Sequence, residues 1–221
     1  MASGEMDEAE FTEFLTGACQ LLALHSTDGS LHYLFMDWRH LGELLAAGRK
    51  VYTQLANVCI WVKHNAGMGS LYRSQHELVF VFKSGRSRHR NNVELGRHGR
   101  NRSNVWTYPG ANLFGRGTEE GNLLALHPTV KPVALVADVM MDCTARGDIV
   151  LDAFVGSGTT LIAAERSGRS ARGLELDPLY VDTTMARWQA FTGQKAIHAA
   201  TGKSFDEIKS ELETDDVQQP Q

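Results

Sequence analysis

Residues 149–177 carry the pattern that most restricts what this chain can become. Ile149-Val-Leu151 is a short apolar strand closed by Asp152. Ala-Phe-Val-Gly-Ser-Gly-Thr-Thr160 follows, a turn built on Gly156 and Gly158 that enters a helix near Thr159. Gly173-Leu-Glu-Leu-Asp177 then brings a second strand, closed by Glu175. This order makes a βαβ unit, whose glycines let backbone N–H groups approach a ligand and whose helix start offers its positive end. Such a unit suits an adenosine-containing ligand, with Glu175 placed to accept hydrogen bonds from both ribose hydroxyls.

Three nucleotide chemistries compete for this turn. A phosphate-binding P-loop needs Gly-x-x-x-x-Gly-Lys-Ser/Thr, and the Gly-Lys-Ser at 202–204 has Ile197 where the first glycine belongs. A dinucleotide site needs a third glycine three residues past the second, where this chain has Leu161. The hydroxyl pair Thr159-Thr160 suits a carboxylate and an amine better than a diphosphate.

Asp-Ala-Phe-Val-Gly-Ser-Gly-Thr-Thr160, preceded by His127-Pro-Thr-Val-Lys-Pro132, resembles the S-adenosylmethionine site of the amino-directed DNA methyltransferases, which methylate adenine N6 or cytosine N4. In their circularly permuted subgroup the His-Pro-Thr-x-Lys-Pro segment comes shortly before the glycine turn, as here. The resemblance spans roughly residues 1–192. It implies that Asp152, Ala153, Phe154, Gly156, Ser157 and Gly158 line the cofactor and that Thr159 and Thr160 meet its amino acid end. It further implies that Glu175 takes the ribose, that Leu176 and Asp177 border the adenine, and that Thr129 and Lys131 close the other side.

The family's catalytic loop, Asp/Asn/Ser-Pro-Pro followed by an aromatic residue, has no counterpart in this sequence. Its prolines stand at 109, 128, 132, 178 and 220, no two adjacent. An exocyclic amine is a weak nucleophile, and that loop accepts the amine's hydrogens and stacks on a base swung out of the duplex. In the permuted subgroup the loop lies upstream of the polar stretch that Met1-Ala-Ser-Gly-Glu-Met-Asp-Glu-Ala-Glu10 resembles. The expectation is therefore a C-terminal portion of a longer enzyme, with no catalytic residue of its own.

The pattern of the remaining chain yields an α/β fold. Helices are predicted over 7–24, 38–48, 131–145, 159–168 and 178–191, and strands over 30–36, 55–63, 76–83 and 149–151. The expected architecture is a doubly wound, mainly parallel sheet with an antiparallel pair (55–63 and 76–83) at one edge. The resemblance implies that a central strand is missing between 149–154 and 30–36. Two sheet edges would then lack backbone partners at about 1–3 kcal/mol for each unpaired group, so the isolated chain is expected to be marginal or to associate with itself or with an upstream segment. The predicted organisation is a partial methyltransferase domain over 1–192, with a basic insert at 83–126 and a cofactor-binding unit at 127–192, followed by a tail over 193–221 carrying one more strand and helix.

Arginines 86, 88, 90, 97, 100 and 102 cluster in a chain whose formal net charge is −4, against the single acid Glu94. A flexible basic insert of this kind tracks phosphates, so Arg86, Arg88, Arg90, Arg97, Arg100 and Arg102 are candidate contacts to double-stranded DNA. Asp37 and Trp38 either line the cleft or serve as helix cap and core. The loop Asn65-Ala-Gly-Met-Gly69 either closes over DNA or is an ordinary turn.

Cys19, Cys59 and Cys143 are odd in number and in apolar surroundings, reading as reduced thiols of a cytoplasmic protein. None sits in the Pro-Cys setting of cytosine C5 methylation. His76-Glu77 begins a zinc-protease motif, but Phe80 occupies the second histidine position and no metal is expected. No segment reaches the ~20 apolar residues of a membrane span, and the acidic start has no signal-peptide pattern. The leading reading is a DNA methyltransferase of a restriction-modification type, with adenine favoured over cytosine. The alternative is a non-catalytic cofactor- or DNA-binding remnant of a decayed modification gene. An RNA or protein amino-methyltransferase is a weaker third.

Overall fold

The computed structural model of the chain describes residues 6–69, 71–97, 101–110 and 130–217. Helix α1 (Glu8–Leu24) begins at a capping box: Asp7 accepts the Ala9 and Glu10 N–H groups, and Glu10 reaches back to the Asp7 N–H. Strand β1 (Leu31–Met36), helix α2 (Leu41–Val51), and strands β2 (Gln54–Val62) and β3 (His76–Lys83) follow. A short β4 (Val105–Thr107) precedes α3 (Val133–Cys143), β5 (Ile149–Asp152), α4 (Thr159–Ser167), β6 (Ser170–Gly173) and α5 (Pro178–Thr192). Helix α6 (Phe205–Val217) lies in the tail, whose expected strand is reduced to a single bridge between Ile197 and Ser204.

The strands form two sheets. The larger has the order β1-β3-β2-β4, with β3 antiparallel to both neighbours and β4 parallel to β2. The smaller is the parallel pair β5-β6. The α/β expectation holds, with two corrections of detail. The sheet is mixed, because β3 reverses direction between β1 and β2. The antiparallel pair is not at the edge, because the short β4, absent from the sequence-based reading, extends the sheet beyond β2. Among the described residues β1 pairs only with β3, and β5 only with β6.

Alternation along β3 sorts the core into two layers. Phe80 and Phe82 face α1 and α2, packing with Leu15, Cys19, Leu44, Ala47 and Tyr52. Val79 and Val81 face the other way, against Trp61, Trp106, Leu135 and Val139. Helix α3 has a second apolar face, Val133, Ala137 and Met140, against Ile162, Ala163 and Ala164 of α4. It thus joins the four-stranded sheet to the β5-β6 unit.

Two core details generate tests. A methyl group at Gly48 would sit 2.2 Å from Phe82 Cζ, so Gly48→Ala is expected to destabilise by about 1–3 kcal/mol through overpacking. Gly17, inside α1, has open space around it, and Gly17→Ala is expected to stabilise by about 0.5–1 kcal/mol. Urea midpoints should move in opposite directions.

His32 is buried, with Nδ1 3.1 Å from the Tyr52 hydroxyl and Nε2 3.2 Å from that of Ser30. Burial holds its pKa down to about 4, from 6.5. Above pH 6.5 the ring is neutral in the folded and unfolded chain alike. Below that, the unfolded chain takes up a proton that the folded chain refuses until about pH 4. Stability should therefore fall across this window by up to about 3 kcal/mol, and His32→Gln should flatten the dependence in a pH series of melts.

Candidate functional site

The predicted turn forms at the carboxyl end of β5. Asp152 organises it, one oxygen accepting the Phe154 N–H at 2.9 Å and the other the Thr160 hydroxyl at 2.6 Å. Gly156 and Gly158 both adopt left-handed backbone, with φ of 55° and 85°, a conformation side chains resist. At Gly158 a methyl group would also lie 2.8 Å from Thr184.

The second strand, β6, ends at Gly173, short of the expected Glu175, and Glu175 closes the site from the segment just past it. One carboxylate oxygen accepts the Gly156 N–H at 2.7 Å, and the other accepts the Leu176 and Asp177 N–H groups at 2.9 and 3.0 Å. The acid and the glycine turn, 19 residues apart in sequence, are thus one hydrogen bond apart in space. Asp177 caps α5 through the Leu179 N–H. Phe154 is largely exposed, its ring centre 6.2 Å from that of Phe14 on α1, and Leu176, next to the Glu175 carboxylate, is almost fully exposed, two apolar surfaces available to a flat ring.

Helix α5 supports the turn from behind. Thr184 donates its hydroxyl to the Gly156 carbonyl at 2.9 Å, and Arg187 reaches the Ser157 carbonyl and hydroxyl. Sequence reasoning missed both residues. Their signal is the i, i+3 spacing, which puts them on one helix face, but nothing in the sequence tells which loop that face meets. Between α5, Val155, Leu161, Gly173 and Glu175 lies a hollow of ≈ 100 Å³.

The predicted cofactor residues divide by role. Asp152, Gly156, Gly158, Thr160, Glu175, Leu176 and Asp177 come together, and Ala153 and Phe154 lie in the same turn. Ser157 and Thr159 are buried in the fold instead: Ser157 faces Arg187, and Thr159 donates to the Lys131 carbonyl at 3.2 Å. Lys131 therefore sits beside the helix start, its ammonium 5.0 Å from the Phe35 ring centre. Thr129 lies outside the described residues. The carboxylates of Asp152 and Glu175 at the turn are balanced by the Arg187 guanidinium on Ser157 and by Lys131 beside the helix start.

The basic stretch requires a correction: over its described residues it is docked on the body of the protein, and is not a flexible insert. Asp28 accepts the Arg86 N–H, and the Ser87 N–H and hydroxyl. Asn92 donates to the Met141 and Thr144 carbonyls, both at 2.8 Å. Arg90 Nε lies 3.9 Å from Asp148, which precedes β5. Arg86, Arg88 and Arg90 thus lie at the end of the sheets opposite the glycine turn. Arg102 is taken up by an ion pair with Asp142 at 2.7 Å and by the face of Trp106. Arg97 is exposed, its N–H bonded to the Glu94 carbonyl, and Arg100 lies outside the described residues. Asp37 is a helix cap, accepting the Arg39 and His40 N–H groups, while Trp38 is half-exposed beneath the Arg39 guanidinium.

Among the described residues no helix is long and apolar enough to cross a membrane. Comparison with known proteins gives concordant matches. The type II methyltransferase M.HpaI of Haemophilus parainfluenzae is 25% identical over 189 residues, 79% of this chain and 57% of that protein. M.ScaI of Streptomyces caespitosus is 31% identical over 92 residues, 42% of this chain and 30% of that protein. The chain thus spans about half the length, or less, of these curated relatives. Among solved structures, PvuII DNA methyltransferase (cytosine-N4-specific) aligns with a TM-score of 0.70 at 15% identity, over 95% of this chain and 78% of that one. The M1.HpyAVI–SAM complex aligns with a TM-score of 0.65 at 21% identity, over 80% and 82%. These likenesses establish the methyltransferase fold. The profile of a DNA methylase family, designated N6/N4, matches residues 2–186. The chain belongs to this N6/N4 DNA methylase family.

Proposed function

We propose that this chain binds S-adenosylmethionine at the glycine turn and forms the cofactor-binding and DNA-contacting part of a methyltransferase acting on an exocyclic amine of adenine or cytosine. The observation that carries the reading is the hydrogen bond between Glu175 and the Gly156 N–H. It brings a diol-binding acid to the edge of a turn whose backbone approaches a ligand closely. The fit is chemical as well: S-adenosylmethionine carries a cationic amino group that the Asp152 carboxylate can meet and a ribose diol that Glu175 can take. When bound, it supplies an electrophilic methyl group. The chain's own residues bind and orient: Glu175 at the ribose, Leu176 and Phe154 against the flat base, and Thr160 and Asp152 toward the amino acid end. Adenine is favoured by the sequence reading, but the PvuII neighbour is cytosine-N4-specific, so both amines stay within the proposal.

The amine-activating loop belongs, in this reading, to a strand lying between β5 and β1. Both strands end their sheets there among the described residues, and α3 packs on both sides of that position. A strand bonded to both edges would carry its carboxyl-end loop next to the glycine turn, the arrangement of the circularly permuted subgroup. The division into a partial domain over 1–192 and a tail over 193–221 follows from it. The same open edges give the chain a route to self-association. A decayed remnant without catalytic partner is the second reading, favoured only by the lack of an adjacent proline pair.

Titration calorimetry with S-adenosylmethionine tests the site. Glu175→Ala should weaken binding by about 1.5–3 kcal/mol, roughly ten- to a hundredfold, and equal affinity would remove the ribose role. Transfer of labelled methyl groups to duplex DNA tests the strand. The 221-residue chain alone should give none, and a fusion supplying a strand with a Pro-Pro-aromatic loop should restore it; turnover by the chain alone would overturn the proposal.

A further inference from the structure

The connection between β2 and β3 is built as a projecting finger. Its neck is cinched: the Lys63 N–H meets the Gln75 carbonyl at 2.8 Å, the Gly67 N–H meets the Ser74 carbonyl at 2.7 Å, and the Gln75 side-chain amide returns to the Lys63 carbonyl at 2.8 Å. Lys63 is further held by Glu77 at 2.6 Å. Near the tip a methyl group at Gly69 would sit 2.2 Å from the Tyr72 carbonyl oxygen, so the backbone folds back on itself where only glycine fits. The result exposes three large apolar side chains together: Met68 at 96%, Leu71 at 83% and Tyr72 at 85%.

Position says what such a finger meets. Val62 pairs with His76, and Met36 with Leu78, so the finger rises from the carboxyl ends of β1 and β2. Phe35, at that end of β1, lies under Lys131, whose carbonyl holds the first residue of α4. The finger and the glycine turn therefore open on the same end of the molecule. Arg86, Arg88 and Arg90 lie on the other. Charge points the same way: residues 64–75 contain His64 and Arg73 and no acid, and Lys63 at the neck is neutralised by Glu77, in a chain that is acidic overall.

We propose that this finger enters the DNA at the target site, with Tyr72 stacking on a base, Met68 and Leu71 wedging the step that an extruded base vacates, and Arg73 holding a phosphate. The proposal rests on the reading of the chain as a DNA methyltransferase. A base taken out of the duplex leaves unstacked neighbours, and apolar side chains inserted between base steps take their place. Exposed apolar surface of this kind marks a contact site, and Arg73, the one formal charge between His64 and Gln75, favours an anionic partner.

The test is fluorescence anisotropy with a labelled duplex, using the 221-residue chain, over a salt series. The wild type should bind with salt-dependent affinity. Tyr72→Ala should weaken binding about tenfold, as expected for one lost stacking contact, while Tyr72→Phe should bind like the wild type. Arg73→Ala should reduce the salt slope by about one, and the triple change Arg86→Ala, Arg88→Ala and Arg90→Ala should leave affinity nearly unchanged. Failure of the wild type to bind duplex, or wild-type affinity in both Tyr72→Ala and Arg73→Ala, would overturn the proposal. So would finger variants that alter only sedimentation, which would make the patch a protein contact. S-adenosylmethionine affinity, measured on each variant, should stay constant; its absence in the wild type would instead refute the cofactor reading.

Discussion

Helix α3 presents two apolar faces, and each is claimed by a different sheet. Leu135 and Val139 complete the core under Trp61, Val79 and Val81, while Val133, Ala137 and Met140 complete the one under α4. Among the described strands no ladder hydrogen bond links the two sheets. Side-chain packing on α3, with the Phe35–Lys131–Thr159 link and the Phe14–Phe154 contact, therefore sets where the glycine turn stands relative to β1. Close-packed interiors transmit displacement, so a change in volume on either face of α3 would shift the cofactor turn against the opposite wall of the cleft. The same helix anchors the incoming β4 segment through acids: Asp142 pairs with Arg102, and Asp138 accepts the Tyr108 hydroxyl.

At the turn, conformation and charge are settled by different parts of the chain. Left-handed backbone at Gly156 and Gly158 creates the bend, and Thr184 and Arg187 hold its carbonyls from α5. That leaves the ligand side to carboxylates and backbone N–H groups. Family membership and the geometry thus meet at one end of the molecule, where β1, β2 and β5 all terminate.

Much of this was legible in the residues. The βαβ unit was readable because glycine spacing, a terminal acid and short apolar strands each impose a backbone state locally. Helices α1, α3 and α5 and strands β1 to β3 were found within a few residues for the same reason. What escaped was decided at long range. Strand β4 has three residues flanked by Asn104 and Tyr108 and exists because β2 offers it a parallel edge, the Ile60 N–H taking the Asn104 carbonyl. The fate of the arginines was equally non-local. Their type suggested phosphates, but Asp142 is 40 residues from Arg102 in sequence, and nothing near Arg102 announces the pairing. The roles of Thr184 and Arg187 depended on which loop α5 would pack behind.

The three thiols stand at three separate places in this architecture. Cys19 lies between α1 and α2, Cys59 lies under α3, and Cys143 closes the end of α3 near the Val139 carbonyl. Burial pushes all three up, Cys59 and Cys143 to about 11, so none is a ready nucleophile in the folded chain. Each becomes reactive only when its own layer parts. The order in which an alkylating reagent marks them is therefore a map of which seam of the molecule yields first.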